Sequence, residues 1–495
     1  MSRKSRNFAF LFALVTAGLL FVAVVHGQGP NSIPNGAHFP NPGGTASTFS
    51  TAGSVDLTGP FFQSLGTNGR SCASCHQPSD GMSVSADDVQ QRFDTSAGLD
   101  PIFRTNDGSN CDNLDVSTLQ ARSDAYSLLR TRGLIRIAID VPAGADFQVT
   151  NVQNPYGCNN TNTISMYRRP LPSTNLRFLS TVMWDGRESS AATGTTKIAF
   201  DNYPSSLLSN LAHQAVDATN GHAQGNGLTA DQQQQIVNFE MGLFSAQETA
   251  SSGGNLSAQG ANGGAIPLIN QPFFISINSS VNPLVPALEQ PGGLATPGDG
   301  HFTPAIFNLF DAWANLSPSA PRAAIARGQA LFTSKPINIT GVAGINDDAS
   351  AGGLVPNGIP SLTGTCGTCH DTPNVGNHSF ATPLNIGVGD LGANSSVSMG
   401  GLDISYLPKI TVCRVSNPSD CKTTTDLGQA LIDGKFDHVG KLKGPILRSL
   451  SSRAPYFHNG SARTLLDAVR FYEVRFGVSF TAQEESDLVA FLNAF

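Results

Sequence analysis

The sequence predicts a mainly α-helical fold, arranged as two domains with long loop insertions and a few short strands. Three observations carry that expectation. The pentapeptide Cys-x-x-Cys-His occurs once in each half of the chain, as Cys72-Ala-Ser-Cys75-His76 and Cys366-Gly-Thr-Cys369-His370. Boxes of the form Thr-x-x-Gln/Asp/Glu open amphipathic runs at Thr229, Thr464 and Thr481; such boxes satisfy the free N–H groups of a helix's first turn. Strand-like runs such as Leu134–Val141 fall mostly between the helical parts.

In chain order, Arg3, Lys4 and Arg6 precede an apolar run from Phe8 to Val25, with a candidate cleavage site within Val25-His26-Gly27-Gln28. This is the pattern of an export signal over residues 1–27. An uncleaved anchor is the alternative, because the run is near the ~18-residue lower limit for spanning a bilayer. No other segment is apolar enough to span. Residues 28–55 are rich in Gly, Ser, Thr and Pro and read as a flexible or extended lead-in. Residues 56–250 and 301–495 form the two domains. Between them, 251–300 reads as a linker or insertion, broken by Gly253-Gly254, Gly263-Gly264 and Gly292-Gly293. The helical stripes are Ile236, Phe239 and Leu243 after Thr229, and Leu465, Val469 and Tyr472 after Thr464. Leu488, Phe491, Leu492 and Phe495 follow Thr481.

A chain of 495 residues is long enough for two or three domains and a large core. Charged residues are only 13% and the net charge is −7, so nothing points to nucleic acid. The 51 glycines and 30 prolines suggest long ordered loops. Of eight cysteines, four belong to the CxxCH motifs and Cys111, Cys158, Cys413 and Cys421 remain. An even remainder in an exported chain suggests disulfides. Sequence order favours Cys111–Cys158 and Cys413–Cys421 among three possible pairings.

The CxxCH spacing does a specific covalent job. Two thiols bond to the vinyl groups of one haem, and the adjoining His ligates its iron from one side. One such motif also suits a redox dithiol or half a zinc site. Two in one exported chain argue for two covalently bound haem c groups in two cytochrome c-like modules. Cys72, Cys75 and His76 would hold one, and Cys366, Cys369 and His370 the other.

Further motifs appear in order around these: Trp184-Asp185-Gly186-Arg187 followed by Gln214-Ala215, then Lys443-Gly444-Pro445-Ile446-Leu447-Arg448. Ala454-Pro455-Tyr456-Phe457-His458-Asn459-Gly460-Ser461 and Asp487-Leu488-Val489-Ala490-Phe491-Leu492 complete the set. Together they resemble the bacterial di-haem cytochrome c peroxidase family, which includes MauG. The matching blocks cover about half of the mature chain, and residues 98–165, 251–320 and 390–435 look like insertions. The resemblance implies unequal haems. His76 would be the proximal ligand of a peroxidatic haem and His370 that of an electron-transfer haem. Trp184 resembles the tryptophan that lies between the two as an electron bridge; a buried core indole is the plainer reading, and the two are compatible.

The resemblance also places a distal ligand for the second haem fourteen residues after His458. That position is Tyr472, as in MauG-like members, where many relatives have Met. A Tyr oxygen stabilises ferric and higher states, whereas Met raises the potential. His458 is the rival ligand, Met399 a weaker one, and His378 reads as a surface or supporting residue. On the first haem no His follows His76 before His213, which implies an open distal face; Met82 reads as packing. Peroxide cleavage needs a base that takes a proton and returns it. The family's Glu position holds Gln224, which cannot titrate, and His222 two residues away can. His222 is therefore the candidate acid–base residue or sixth ligand, with a plain loop histidine as the alternative and Glu240 as the fallback carboxylate. The family's calcium-ligating Asn position holds Arg169, which has no acceptor, so calcium is doubtful here.

The expected protein is thus a periplasmic di-haem oxidoreductase reducing hydrogen peroxide. Its electrons would come from a small cytochrome c, a cupredoxin or a protein substrate. A haem-dependent oxygenase of an organic substrate and a non-enzymatic electron-transfer protein are the alternatives.

Overall fold

The computed structural model describes residues 31–179, 181–189, 205–271, 305–347, 361–377, 383–392 and 394–495. The export signal at 1–27, most of the 251–300 linker and His378 lie outside them. Among the described residues helix accounts for 32% and strand for 21%, distributed over several sheets. The mainly α expectation is therefore corrected: the sheets are a substantial part of the architecture, and two of them are assembled from segments far apart in sequence.

The strands in chain order are β1 (Ser32–Pro34), β2 (His38–Asn41), β3 (Gly44–Ser50), β4 (Ser54–Asp56), β5 (Ile135–Asp140), β6 (Phe147–Gln153), β7 (Thr163–Arg168), β8 (Leu243–Ala250), β9 (Gly254–Asn255), β10 (Ile337–Thr340), β11 (Ser361–Gly364), β12 (Lys409–Arg414) and β13 (Asn417–Thr424). The Gly/Ser/Thr/Pro-rich lead-in is extended and paired. Its β3 lies antiparallel to β8, in a sheet of order β2-β3-β8-β9. A second sheet, β13-β12-β6, joins residues 147–153 to 409–424. Ile410 and Val412 of β12 and Phe147 and Val149 of β6 follow the period of two, and a register shift between Val149 and Asn151 brings Val152 to the same face; all pack onto Leu427, Leu431 and Phe436. β5 pairs with β7, so the run at Leu134–Val141 is a strand as its β-branched alternation predicts. Cys111 bonds to Cys158 and Cys413 to Cys421, the pairing that sequence order favours; the second links neighbouring strands β12 and β13.

The helices are α1 (Ala86–Ser96), α2 (Leu119–Ala125), α3 (Ser127–Arg132), α4 (Ser205–His222), α5 (Ala230–Met241), α6 (Ala265–Ile269), α7 (Pro321–Ser334), α8 (Cys366–Cys369), α9 (Ala430–Asp433), α10 (Leu465–Phe476) and α11 (Ala482–Asn493). The three expected capping boxes form, with Thr229, Thr464 and Thr481 opening α5, α10 and α11. α11 buries Leu488, Phe491 and Leu492 against Ile325, Ala326 and Phe332 of α7. The two axes approach closely because position 328 is glycine. A Cβ there would lie 2.0 Å from the Asp487 carbonyl oxygen and 2.6 Å from Phe491 Cβ. Backbone cannot give way as a side-chain tip can. Gly328→Ala is thus expected to cost about 1–3 kcal/mol of stability despite alanine's better helix propensity. Denaturant unfolding of the purified full-length protein measures it, and an unchanged midpoint would refute the close packing.

Candidate functional site

Each CxxCH motif opens a cavity. The first cysteine pair sits on a short 3-10 turn, Cys72–Ser74, whose start is closed by reciprocal Ser71 and Ser74 bonds. The second forms α8, closed in the same way by Thr365 and Thr368. Such tight turns bring both sulfurs and the following imidazole to one place. His76 Nδ1 lies 3.0 Å from the Met82 carbonyl oxygen, and His370 Nδ1 lies 2.8 Å from that of Gly376. A carbonyl only accepts, so in each neutral ring the proton is on Nδ1 and Nε2 keeps its lone pair. Burial favours that neutral form, pulling His76 down to about 4 and His370 downward as well.

The four thiols are not disulfide-bonded. Burial pushes Cys72, Cys366 and Cys369 up to about 12, and raises Cys75 too. A redox dithiol or a zinc site would stabilise thiolates instead. The first cavity encloses about 1400 Å³ including its mouth, and the second about 1700 Å³. Neutral thiols paired with a tautomer-locked imidazole, at the wall of a cavity, fit a thioether-anchored haem at each motif.

The two cavities share a wall. Arg169, Pro170, Trp184 and Lys443 line both. The Trp184 indole N–H donates to the Arg169 carbonyl at 2.8 Å, and the Lys443 amide donates to the Trp184 carbonyl at 2.7 Å. The His458 ring stands edge-on to the Trp184 ring, with centroids 6.0 Å apart. A buried ion network holds the turn beneath the indole. Arg168 makes a two-pronged contact with Asp426 at 2.7 and 2.8 Å and reaches Asp185 at 2.5 Å, while Arg187 reaches Asp185 at 2.8 Å. Lys443 is 3% exposed, and its ammonium has only the Gly444 carbonyl at 3.3 Å. Burial pulls it down to about 8. A buried cation with no carboxylate bonded to it among the described residues suits the acidic edge of a haem.

Arg169 is the other cation in the wall. Its guanidinium donates to the backbone carbonyls of Arg132 at 2.6 Å, Arg453 at 2.9 Å and Val84. Burial and neighbouring Arg453 pull it down to about 9, which leaves it charged at neutral pH. Three carbonyls from separate segments are thus satisfied by a side chain.

The first cavity gathers Cys72, Cys75, His76, Trp184, His222 and Glu240. α4 presents Leu211, Gln214, Ala215, Ala218 and His222 to it at helical spacing. Glu240 is 6% exposed, and among the described residues its Oε2 has no hydrogen-bond partner. Burial raises it to about 8. His222 Nδ1 lies 2.5 Å from Asp107 Oδ2. The second cavity gathers Cys366, Cys369, His370, Tyr472 and His458. Tyr472 is packed by Phe457, Phe471 and Phe476, and burial raises its hydroxyl. His458 is 4% exposed; among the described residues its Nε2 makes no hydrogen bond, with Asp426 Oδ2 3.9 Å away, and burial pulls it down to about 4. Both candidate distal ligands thus border the second cavity.

Other sequence candidates lie elsewhere. Met82 packs with Val55, Phe61 and Leu243. Met399 and Gln224 border neither cavity. His213 is half exposed and bonds Glu188 at 2.8 Å. Two residues carry no functional signal in the sequence. Lys443 opens Lys443-Gly444-Pro445-Ile446-Leu447-Arg448, a run that gives it no role by itself, and Asp107 lies in Asn106-Asp107-Gly108, which reads only as a turn.

No protein-family model matches the chain. Over 91 residues it is 33% identical to cytochrome-c peroxidase IdrP1 of Pseudomonas sp. (strain SCT), a match covering 16% of this chain and 24% of that protein. The chain therefore spans about a quarter of the length of the curated relative it matches. The crystal structure of a MauG-like protein associated with microbial copper homeostasis aligns with 88% of this chain and 87% of its own, at 13% identity and a TM-score of 0.33. The sequence match, set beside the ordered motifs, relates this chain to the family of bacterial di-haem cytochrome c peroxidases and MauG-like proteins.

Proposed function

We propose that this is an exported di-haem oxidoreductase that reduces hydrogen peroxide. Its electrons would come from a small cytochrome c, a cupredoxin or a partner protein. The observation that carries the reading is the shared wall: two CxxCH cavities meet at Trp184. Cys72 and Cys75 would anchor one haem and Cys366 and Cys369 the other, with His76 and His370 as iron ligands. The domain division at 56–250 and 301–495 gives each half one of them. When bound, the haems supply the redox chemistry. The chain's own residues do the rest. Nε2 of His76 and of His370 is held ready by the carbonyls of Met82 and Gly376. Tyr472 is the preferred second ligand at the C-terminal site, with His458 beside Trp184 as a supporting residue. Trp184 relays charge between the sites. His222 exchanges protons with peroxide in the first cavity; Glu240, protonated at neutral pH, can give a proton but not take one.

Purified from a host that matures c-type cytochromes, the protein is expected to carry two haems per chain and to consume peroxide when supplied with a reduced donor. Two haems without peroxide consumption would contradict the reading. The apolar lining of the first cavity, including Ile135, Ile137, Leu211 and Ile236, also suits an oxygenase of an apolar substrate. Stable oxygen binding to the reduced protein, with no peroxide turnover, would favour that alternative.

We also read Arg169 as a built-in cation replacing a calcium ion in the wall. Metal analysis of the purified protein is expected to find calcium well below one per chain, and a stoichiometric amount would overturn this. The export signal implies a mature chain starting near Gln28, which N-terminal sequencing would check. Among the described residues no helix is long and apolar enough to cross a membrane.

A further inference from the structure

His222 ends α4, where a helix terminus would ordinarily leave its side chain free to swing. Here it is held from several sides. Its Nδ1 meets Asp107 Oδ2 at 2.5 Å. The Asp107 side chain is 8% exposed, and its other oxygen takes the Arg70 guanidinium. Arg70 is itself fixed by the carbonyls of Pro101 at 3.0 Å and Ile102 at 2.5 Å. The His222 carbonyl accepts from Asn68 at 2.8 Å and Arg70 at 3.3 Å. The loop carrying Asp107 is tied down as well: the Arg136 amide donates to the Asp107 carbonyl at 2.7 Å, and the Cys111–Cys158 disulfide follows four residues on.

A carboxylate accepts only, so the imidazole proton sits on Nδ1. Nε2 is left as the nitrogen able to take a proton at the cavity that His222 borders with Cys72, Cys75 and His76. Burial of Asp107 raises its carboxyl, but His222 and Arg70 more than offset this and hold it below the usual carboxylate range.

We propose that Asp107, clamped by Arg70, is a positioning residue: it fixes the tautomer and orientation of His222 so that Nε2 serves the first cavity. This rests on the assignment of His222 as the proton-exchanging group in peroxide reduction. Asp107→Asn keeps the side-chain volume and removes the charge, so it is preferred to alanine, which would leave Arg70 buried beside a void. Two readouts are used on the haem-loaded protein. In stopped-flow mixing with peroxide, Asp107→Asn is expected to slow the second-order reaction roughly 10- to 100-fold. Asp107→Glu should restore part of the loss, and Asp107→Asn should add no further loss in a His222→Ala background. In the ferric protein, fluoride affinity read from the Soret band should fall about tenfold in both Asp107→Asn and His222→Ala, since fluoride binding takes up a proton at the same nitrogen. Wild-type values in Asp107→Asn would overturn the proposal. So would an equal loss added on top of His222→Ala, which marks a merely structural role. Should the protein not react with peroxide, the function proposed above fails, while the fluoride series still decides whether Asp107 acts through His222. Should His222→Ala leave both readouts unchanged, the assignment of His222 fails and takes this inference with it.

Discussion

Asp185→Ala is expected to destabilise the haem-loaded protein by about 3–5 kcal/mol, the usual cost of removing one partner from a buried ion pair. Asp185 is fully buried and sits between Arg168 and Arg187. Its loss leaves Arg168 with Asp426 alone and unties the turn that presents Trp184 to both cavities. Denaturant unfolding measures the effect. Removing Asp420 from its surface contact with Arg414 is the control; exposed pairs contribute about 0–1 kcal/mol, and Arg414 keeps Asp437. The same network has a pH signature. Burial alone would raise the Asp185 carboxyl, but Arg187 and Arg168 hold it down at about 2. The unfolded chain titrates near 3.9. A carboxyl depressed on folding contributes stability that is fully present above the unfolded value and is lost as pH falls through the folded one. The wild type should therefore lose on the order of 2 kcal/mol from this group between about pH 4 and pH 2. Asp185→Asn should lack that part of the slope. A variant with wild-type stability and an unchanged acid limb would refute the network's role.

His222→Ala is expected to slow the reaction with peroxide by about 10²- to 10⁴-fold, the range for a positioned general acid–base group. Glu240→Gln should leave the neutral-pH rate within about threefold, because a carboxyl raised to about 8 by burial is already protonated there and glutamine also carries no negative charge. The two variants separate the candidates by direction as well as size. Were Glu240 the base, the rate would climb as pH rises through about 8, and Glu240→Gln would abolish the climb while His222→Ala would not.

The parts of this protein legible in sequence are those encoded locally. A capping box shows in four residues, a CxxCH motif in five, and the Trp184 turn in the four residues from Trp184 to Arg187. The two disulfides follow from neighbouring cysteines. The sheet that joins β3 to β8 is not local, since its strands are separated by about two hundred residues, and β3 reads Gly-Thr-Ala-Ser-Thr-Phe-Ser with little apolar alternation. Its interior is satisfied by side-chain hydrogen bonds instead: Thr48 to Ser245 at 2.7 Å, Thr45 to Thr249 at 2.8 Å, and Ser47 to Glu248 at 2.7 Å. Polar pairing of this kind leaves no hydrophobic period to count, which is why the sequence reads as a lead-in and understates the strand content. The site shows the same limit. His222 and Glu240 could be nominated from their chemistry, but the residues that set their behaviour could not. Asp107 reaches His222 across 115 positions, and the burial that raises Glu240 comes from packing. Arg169 was legible as a non-ligand, yet the three carbonyls it satisfies come from residues 84, 132 and 453.

If the two haem sites proposed for this chain are unequal, one open and one closed by a second protein ligand, low-temperature EPR of the ferric protein before and after peroxide should show it. A high-spin signal from the site of His76 is expected beside a low-spin signal from the site of His370, with both changed by peroxide. Two low-spin signals that peroxide leaves untouched would contradict it.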